Sequence, residues 1–295
     1  GIKWLLAGLP PTPQQIQQIA DTVEINQIVL AKQQGQLIIK NALPDYYQYL
    51  EQDIQLNLGV KVSLEGLHGS AGEIAKQALL NLGCEVDALH CSADGNFPLG
   101  APDPSDIKRL ETLKKSVLQH QSVMGIALDG DGDRLVVIDE QGNWVSPDRL
   151  LSLLTKICLL QSPHKTILCD VKCSSMVIQT AQKYQGECLT IRTGSSFLRN
   201  HLASSNGQAI FGGEFAGHYV FNDARGKGYD DGLYAALRIL EYLQQYKISL
   251  SQALAEFPER IASTDVYIEC QNIDYAHLAQ LIKQHAPSNA KIITV

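Results

Sequence analysis

Residues 129–134 read Asp-Gly-Asp-Gly-Asp-Arg, and this stretch restricts the fold more than any other part of the sequence. The apolar runs 124–128 and 135–138 flank it, which predicts a short buried strand on each side. Three carboxylates this close together repel one another unless a cation lies between them. The glycines let the backbone bend so that the oxygens converge, and oxygen ligands suit a hard ion. We therefore predict that Asp129, Asp131 and Asp133 bind Mg²⁺.

Two other interpretations of this stretch are weaker. A plain hairpin turn needs one Asp-Gly pair, whereas this sequence has two pairs and a third aspartate. A calcium-binding EF-hand loop also begins with alternating aspartates, and Glu140 stands at its twelfth position. The sixth position of such a loop must be glycine, but here it is Arg134, and the predicted flanks are strands rather than helices. The EF-hand is therefore rejected.

Composition limits the class of protein. The chain has 295 residues, enough for two or more domains, and a formal net charge of −7. An acidic chain is a poor candidate for non-specific nucleic-acid binding, so we expect no nucleic-acid partner. No apolar run is long enough to span a bilayer, which predicts no membrane partner. The seven cysteines form no Cys-x-x-Cys pair, which argues against zinc and disulfide frameworks and favours the cytoplasm.

The order of predicted elements indicates two β/α units of similar plan. In the first unit, strand 60–64, a glycine-rich loop, a helix ending at Gly83 and strand 86–90 predict parallel strands with a right-handed crossover. The loop lacks the Gly-x-Gly-x-x-Gly spacing, so we interpret it as structural rather than as a dinucleotide site. The second unit has strand 166–171, helix 174–184 and strand 188–191.

Helix boundaries are predicted from capping residues. Thr12 followed by Pro13 and Gln15 predicts a helix start, and Ser146 followed by Pro147 predicts another. Ser105 is predicted to cap a helix that ends near His120. Further helices are predicted at 45–56, from the Asp230-Asp231-Gly232 cap to Tyr246, and at 275–285. A strand is predicted at each of 3–7 and 266–270.

Lys172 follows the predicted strand 166–171 almost directly. Ligands of doubly wound sheets bind at the carboxyl ends of parallel strands, so a lysine at this place is a candidate functional residue. The simpler interpretation is a lysine whose stem packs on the surface while its ammonium group reaches water.

Several motifs of the chain together resemble the α-D-phosphohexomutases, the phosphomannomutase/phosphoglucomutase family. The stretch 129–134 resembles the metal loop of that family. The other matching motifs are Asp94-Gly95-Asn96-Phe97-Pro98 with Pro102-Asp103-Pro104, Asp170-Val171-Lys172, Gly213-Glu214-Phe215-Ala216-Gly217-His218, and Asp230-Asp231-Gly232. The resemblance extends over essentially the whole chain.

The resemblance implies a fold class of α/β type, with tandem mixed α/β domains around a central active-site cleft. The implied domains are 1–57, part of a serine-bearing domain; 58–145, with the metal loop; 146–262, with a sugar-binding loop; and 263–295, the start of a phosphate-binding domain. The implied activity is that of an isomerase, which moves phosphate between the 1 and 6 positions of a hexose through a phosphoserine and a bisphosphorylated sugar. The expected cofactor is Mg²⁺, and the expected partners are hexose phosphates, with the protein a monomer.

The resemblance also implies roles for individual residues. Lys172 would be a general acid/base, Arg134 would pair with the transferring phosphate, and Lys3 would lie beside the serine phosphate. The implied substrate-binding residues are Thr193, Gly194, Ser195, Glu214 and His218. Two positions depart from the family pattern: Ser195 stands where relatives have histidine, and Ala216 stands where they have serine. A serine cannot replace an imidazole in proton transfer near neutral pH.

The catalytic serine and the fourth-domain phosphate loop are expected to lie outside this sequence, in a longer parent protein. We therefore expect the chain alone to be inactive. Three alternatives stay open: a non-catalytic fragment that binds metal and sugar phosphate, a pseudoenzyme, and a phosphoglucosamine mutase.

Overall fold

The structure is a computed structural model that describes residues 4–6, 8–24, 33, 35–260 and 274–288. The chain divides into two compact units, one ending at Pro258 and one beginning at Glu259. The strands of the first unit are β1 (Lys61–Glu65), β2 (Glu85–Leu89), β3 (Met124–Leu128), β4 (Leu135–Asp139), β5 (Thr166–Asp170), β6 (Glu187–Ile191), β7 (Ala209–Gly213) and β8 (Tyr219–Phe221).

Helices cover both sheets of the first unit. They are α1 (Pro13–Glu24), α2 (Leu43–Asp53), α3 (Gly72–Asn81), α4 (Glu111–His120), α5 (Pro147–Gln161), α6 (Ser175–Lys183), α7 (Ser195–Ser204), α8 (Gly232–Tyr246) and α9 (Leu250–Leu254), with a 3₁₀ turn at Ile107–Leu110. The second unit contains α10 (Tyr275–His285). Among the helices of the described residues, none combines the length and apolar character that crossing a membrane requires.

The two sheets repeat one topology. The first has the strand order β2-β1-β3-β4 and the second has β6-β5-β7-β8. In each sheet the first three strands are parallel, and the last pairs antiparallel through a hairpin with its predecessor. In the first sheet the chain adds β2 on one side of β1 and β3 on the other, and in the second sheet it adds β6 and β7 on opposite sides of β5. Ligands of such sheets bind at this change in strand order, between β1 and β3 and between β5 and β7. The mixed α/β fold predicted from the sequence is confirmed.

Burial explains why these segments form strands. Every residue of β3, β4 and β7 is buried, as expected of strands covered by helices on both faces. The long helices α5 and α8 lie in the same core as the strands and bury most of their residues. The core is therefore continuous between the two sheets.

Most predicted helix starts are confirmed, and one is wrong. Thr12 and Gln15 form the reciprocal capping bonds at the start of α1, and Asp231 accepts from the backbone nitrogen of Tyr234 at the start of α8. Ser105 does not cap the helix before His120. Asp106 accepts from Lys108 N instead and begins the 3₁₀ turn that leads into α4. Aspartate is at least as good a cap as serine, and it stands one residue nearer the apolar run.

The prediction of a strand at 3–7 is wrong for its described residues 4–6, where Leu6 forms only an isolated bridge with Leu9 because the chain turns back at once. The remaining differences lie in elements that the sequence analysis does not predict. Helix α7 and the hairpin of β7 and β8 are new. Lys172 lies beyond the end of β5, in a turn, and is exposed. The predicted strand 266–270 and Lys3 lie outside the described residues, and the division into four domains stays a prediction.

Candidate active site

The acidic stretch forms the turn between β3 and β4. Asp129 is 4% exposed, Asp133 is half-buried and Asp131 is exposed. One carboxylate oxygen from each lies within 4.8 Å of the others. Three carboxylate oxygens grouped this closely suit a hard cation such as Mg²⁺, so the residues present fit the predicted metal. The EF-hand interpretation stays excluded, because strands flank the loop on both sides.

Arg134 fixes the base of this turn. Its Nε donates to Asp129 Oδ2 at 2.8 Å, and its Nη1 lies 3.3 Å from Asp103 Oδ1. Burial alone would lower the pKa of Arg134, but the bonds to Asp129 and the charge of Asp103 raise it above its usual value. The guanidinium is therefore a permanent positive charge beside the acidic turn, as recognition of a phosphoryl group requires.

Backbone contacts clamp the turn from two sides. Gly130 O accepts from the backbone nitrogen of Ser70, and Gly132 O accepts from Gly232 N at the start of α8 at 3.0 Å. A Cβ on Gly69 would lie 2.6 Å from Gly130 O. The loop before α3 therefore needs glycine for close approach, which supports its structural interpretation.

The turn meets the Glu214–His218 loop of the second sheet. Arg134 and His218 form an antiparallel β-bridge, and Leu135 N donates to Gly217 O at 3.0 Å. Gly217 has a φ of +94°, and a Cβ there would lie 3.0 Å from Leu135 O. The backbone itself therefore joins the predicted metal and sugar loops.

His218 lies between two carboxylates. Its Nδ1 is 3.2 Å from Asp230 Oδ2 and 3.7 Å from Asp133 Oδ1. Burial would lower the pKa of His218, but Asp230 and Asp133 raise it. Asp133, His218 and Asp230 also have potential metal-ligand atoms within 4.8 Å of one another. Asp133 belongs both to this group and to the group of three aspartates in the acidic turn. His218 therefore connects the predicted metal loop to Asp230, just before the start of α8.

Glu214 is more enclosed than the sequence suggests. It is 2% exposed, and its Oε1 accepts from Gly194 N at 2.6 Å. Burial raises the pKa of Glu214, although the Gly194 bond and His218 act in the opposite direction. The carboxylate therefore also ties its own loop to the loop that follows β6.

The remaining predicted residues of the second sheet lie, like Glu214, at the edge formed by the carboxyl ends of its parallel strands. Lys172 follows β5, Thr193 and Gly194 follow β6, and Ser195 is the first residue of α7. Gly194 has a φ of +135°, which only glycine adopts easily.

Two cavities border the acidic turn. One of about 620 Å³ is lined by Asp129, Asp131 and Arg134 together with His68, Asp94 and Asp103. The other, of about 470 Å³, lies against Asp131 and Asp133 on the α8 side. Both are large enough for a sugar phosphate.

The structure adds functional candidates that the sequence analysis does not assign. Asp230 contacts His218, and Asp170 is buried among the loops that follow β5, β6 and β7. Both stand within motifs already named, Asp-Asp-Gly and Asp-Val-Lys. Their place in these motifs is the sequence signal that could have identified them. Their contacts could not be predicted, because most of the partners are distant in sequence.

The two sheets repeat one topology, and the acidic turn of the first contacts the glutamate-bearing loop of the second. These features define a class of mixed α/β protein whose candidate site lies where the two sheets meet. Residues 44–142 match the family described as phosphoglucomutase/phosphomannomutase, alpha/beta/alpha domain II, and residues 146–261 match domain III of the same family. The chain belongs to the phosphoglucomutase/phosphomannomutase family.

Individual relatives agree with this assignment. A phosphomannomutase/phosphoglucomutase of Pseudomonas syringae is 33% identical over all of this chain and 63% of its own length. A phosphoglucomutase of Neisseria meningitidis is 32% identical over 91% of this chain and 57% of its own. The crystal structure of a family protein from Burkholderia thailandensis has a TM-score of 0.83 at 30% identity, covering 89% of this chain and 56% of the other. The chain thus spans less than two thirds of these relatives.

Proposed function

We propose that the longer protein containing this chain is a phosphohexomutase, which interconverts the 1- and 6-phosphates of glucose or mannose. The observation that carries the proposal is the backbone bridge between Arg134 and His218, which sets an acidic turn beside a glutamate-bearing loop. The family names of the relatives agree with a sugar phosphate substrate.

The residues of the acidic turn suit phosphoryl transfer. Asp129, Asp131 and Asp133 would hold Mg²⁺, which neutralises charge on a transferring phosphoryl group when bound. Arg134 would contact the same phosphoryl oxygens. The donor would be a phosphoserine outside this sequence, with Lys3 beside it.

The second sheet would bind and orient the sugar. Glu214 accepts hydrogen bonds from sugar hydroxyls in this proposal, and Thr193, Gly194 and Ser195 form the adjoining wall. Lys172 moves a proton to or from the reacting hydroxyl, since Ser195 lacks the basicity for that task. His218, which lies in the same loop as Glu214, would also contact the sugar.

A coupled assay of the longer protein tests the function. We expect turnover of both glucose 1-phosphate and mannose 1-phosphate to the 6-phosphates with a bisphosphorylated activator, and none from residues 1–295 alone. Turnover of glucosamine 1-phosphate only would favour a phosphoglucosamine mutase. Binding of sugar phosphate by the longer protein without any turnover would favour a pseudoenzyme.

The metal assignment predicts that Asp131→Asn weakens Mg²⁺ binding at least about 10-fold, because an anionic ligand is lost. Substitution of residues that only hydrogen-bond a metal ligand already lowers metal affinity by about 10- to 100-fold. Isothermal titration of this chain measures the affinity. Asp45→Asn is the matched control, because Asp45 is an exposed aspartate of α2 whose oxygen lies 3.4 Å from Lys40. Equal Mg²⁺ affinity in Asp131→Asn and the unmodified chain would show that the acidic turn is not the metal site.

A further inference from the structure

Asp170 is a buried carboxylate that bonds to three different loops. It is the last residue of β5 and is 1% exposed. Its Oδ1 accepts from Cys173 Sγ at 2.9 Å and from Phe215 N at 3.3 Å, and its Oδ2 accepts from Thr193 Oγ1 at 2.9 Å. Cys173 follows β5, Thr193 follows β6 and Phe215 follows β7, so one side chain joins all three loops at this edge of the sheet.

These three loops carry the proposed sugar-binding groups. Lys172 stands in the first loop, Thr193 in the second, and Glu214 in the third. The bond from Gly194 N to Glu214 Oε1 links the second and third loops again. A carboxylate only accepts hydrogen bonds, and its burial is costly unless donors surround it. The three donors therefore satisfy the buried carboxylate of Asp170, and the loops that carry them are held around it.

The first sheet has a carboxylate at the equivalent place. Glu65 is the last residue of β1 and is fully buried. Its Oε1 accepts from Leu67 N at 2.8 Å, and its Oε2 lies 2.8 Å from His90 Nδ1. Leu67 and His90 belong to the loops that follow β1 and β2. A buried carboxylate thus organises the loops in both copies of the topology, which points to a positioning function.

We propose that Asp170 is a positioning residue, which sets Lys172, Thr193 and Glu214 in the arrangement that recognises one hexose phosphate. The inference rests on the proposed function for its substrate. Asp170 itself acts only through the three loops, by accepting from the Cys173 thiol, the Thr193 hydroxyl and the Phe215 backbone nitrogen.

Two substitutions separate positioning from charge. Asp170→Ala removes all three acceptor contacts. Asp170→Asn keeps one oxygen for Cys173 and Phe215 N, and its amide can donate to Thr193 because a hydroxyl rotates to accept. We expect Asp170→Ala to weaken glucose 1-phosphate binding about 10-fold or more and Asp170→Asn to stay within about threefold.

Calorimetry and NMR of this chain test the proposal together. Glucose 1-phosphate is titrated in the presence of Mg²⁺, and the amide signals of Gly194 and Phe215 are recorded without ligand. Asp170→Ala should shift both signals, because Asp170 accepts from Phe215 N and from the hydroxyl of Thr193, the residue before Gly194. Thr193→Val should give a smaller shift of the Phe215 signal, and Thr193→Ser, which keeps the hydroxyl group, should leave that signal close to its position in the unmodified chain.

The outcomes distinguish this inference from the proposed function. Unchanged Gly194 and Phe215 signals in Asp170→Ala would overturn the positioning role whether or not sugar binds. Equal glucose 1-phosphate affinity in Asp170→Ala and the unmodified chain would overturn it as well. If the unmodified chain binds no glucose 1-phosphate, the substrate assignment fails, and the NMR signals alone decide the inference. If Asp170→Ala does not fold, the contrast between Thr193→Val and Thr193→Ser decides it.

Discussion

Lys172→Met in the longer protein is expected to lower mutase turnover by about 100- to 10,000-fold, the range that general acid–base groups contribute. Lys172 is exposed and follows β5, at the edge where the loops with Thr193 and Glu214 converge. Methionine keeps the length and apolar stem of the side chain but cannot carry a proton. Affinity for glucose 1-phosphate should therefore change much less than kcat, as measured by coupled kinetics and calorimetry.

The same strand supplies a control for this variant. Lys165 directly precedes β5, so it lies at the opposite end of the strand, and its Nζ donates to Gly207 O. Lys165→Met should keep full turnover. Ser195→His should raise turnover or leave it unchanged, because an imidazole can transfer a proton near neutral pH and a serine hydroxyl cannot. Full turnover in Lys172→Met would identify Lys172 as a surface lysine and remove it from the catalytic assignment.

Arg238→Met is expected to lower the free energy of unfolding by about 3–5 kcal/mol, the cost of breaking a buried ion pair from one side. Arg238 lies in α8, is fully buried, and its Nη2 is 2.8 Å from Asp223 Oδ2. Its guanidinium also packs over the ring of Phe221, 4.8 Å from the centroid. Methionine can fill the volume, but it leaves the Asp223 carboxylate buried without its cation. Urea unfolding measures the change.

Two further variants identify the cause of that loss. Adding Asp223→Asn to Arg238→Met should recover part of the stability, because the unpaired charge disappears. Arg109→Met removes an arginine from a more exposed pair with Asp106 and should cost no more than about 1 kcal/mol. A loss in Arg238→Met no larger than that in Arg109→Met would mean that the buried pair adds little.

The sequence predicts the acidic turn well because its signals are local. The apolar runs on each side of Asp129–Arg134 decide the strands, and the alternating glycines decide the turn between them. The start of α8 is equally local, since Asp231 caps the helix whose apolar face follows it. Family membership rests on these same motifs and is confirmed, whereas the roles of the individual site residues stay predictions.

The sequence predicts less where distant residues determine the outcome. Helix α7 has Asn, His and Ser in its interior, and only Leu198 and Leu202 are buried. The bridge between Arg134 and His218 depends on how two sheets pack, which no local pattern encodes. The enclosure of Glu214 arises in the same way, because its partner Gly194 reaches it from the loop that follows another strand.

Gly217 has a consequence for how this family of sites can change over time. A Cβ at this position would lie 3.0 Å from Leu135 O, and the positive φ would strain any residue other than glycine, so a substitution would disturb the contact between the acidic turn and the glutamate-bearing loop. A change in the backbone of one loop would therefore displace the other, although the two loops belong to separate copies of the same topology. A substitution that reshapes one of these loops would therefore need a matching change in the other, because their backbones contact each other directly.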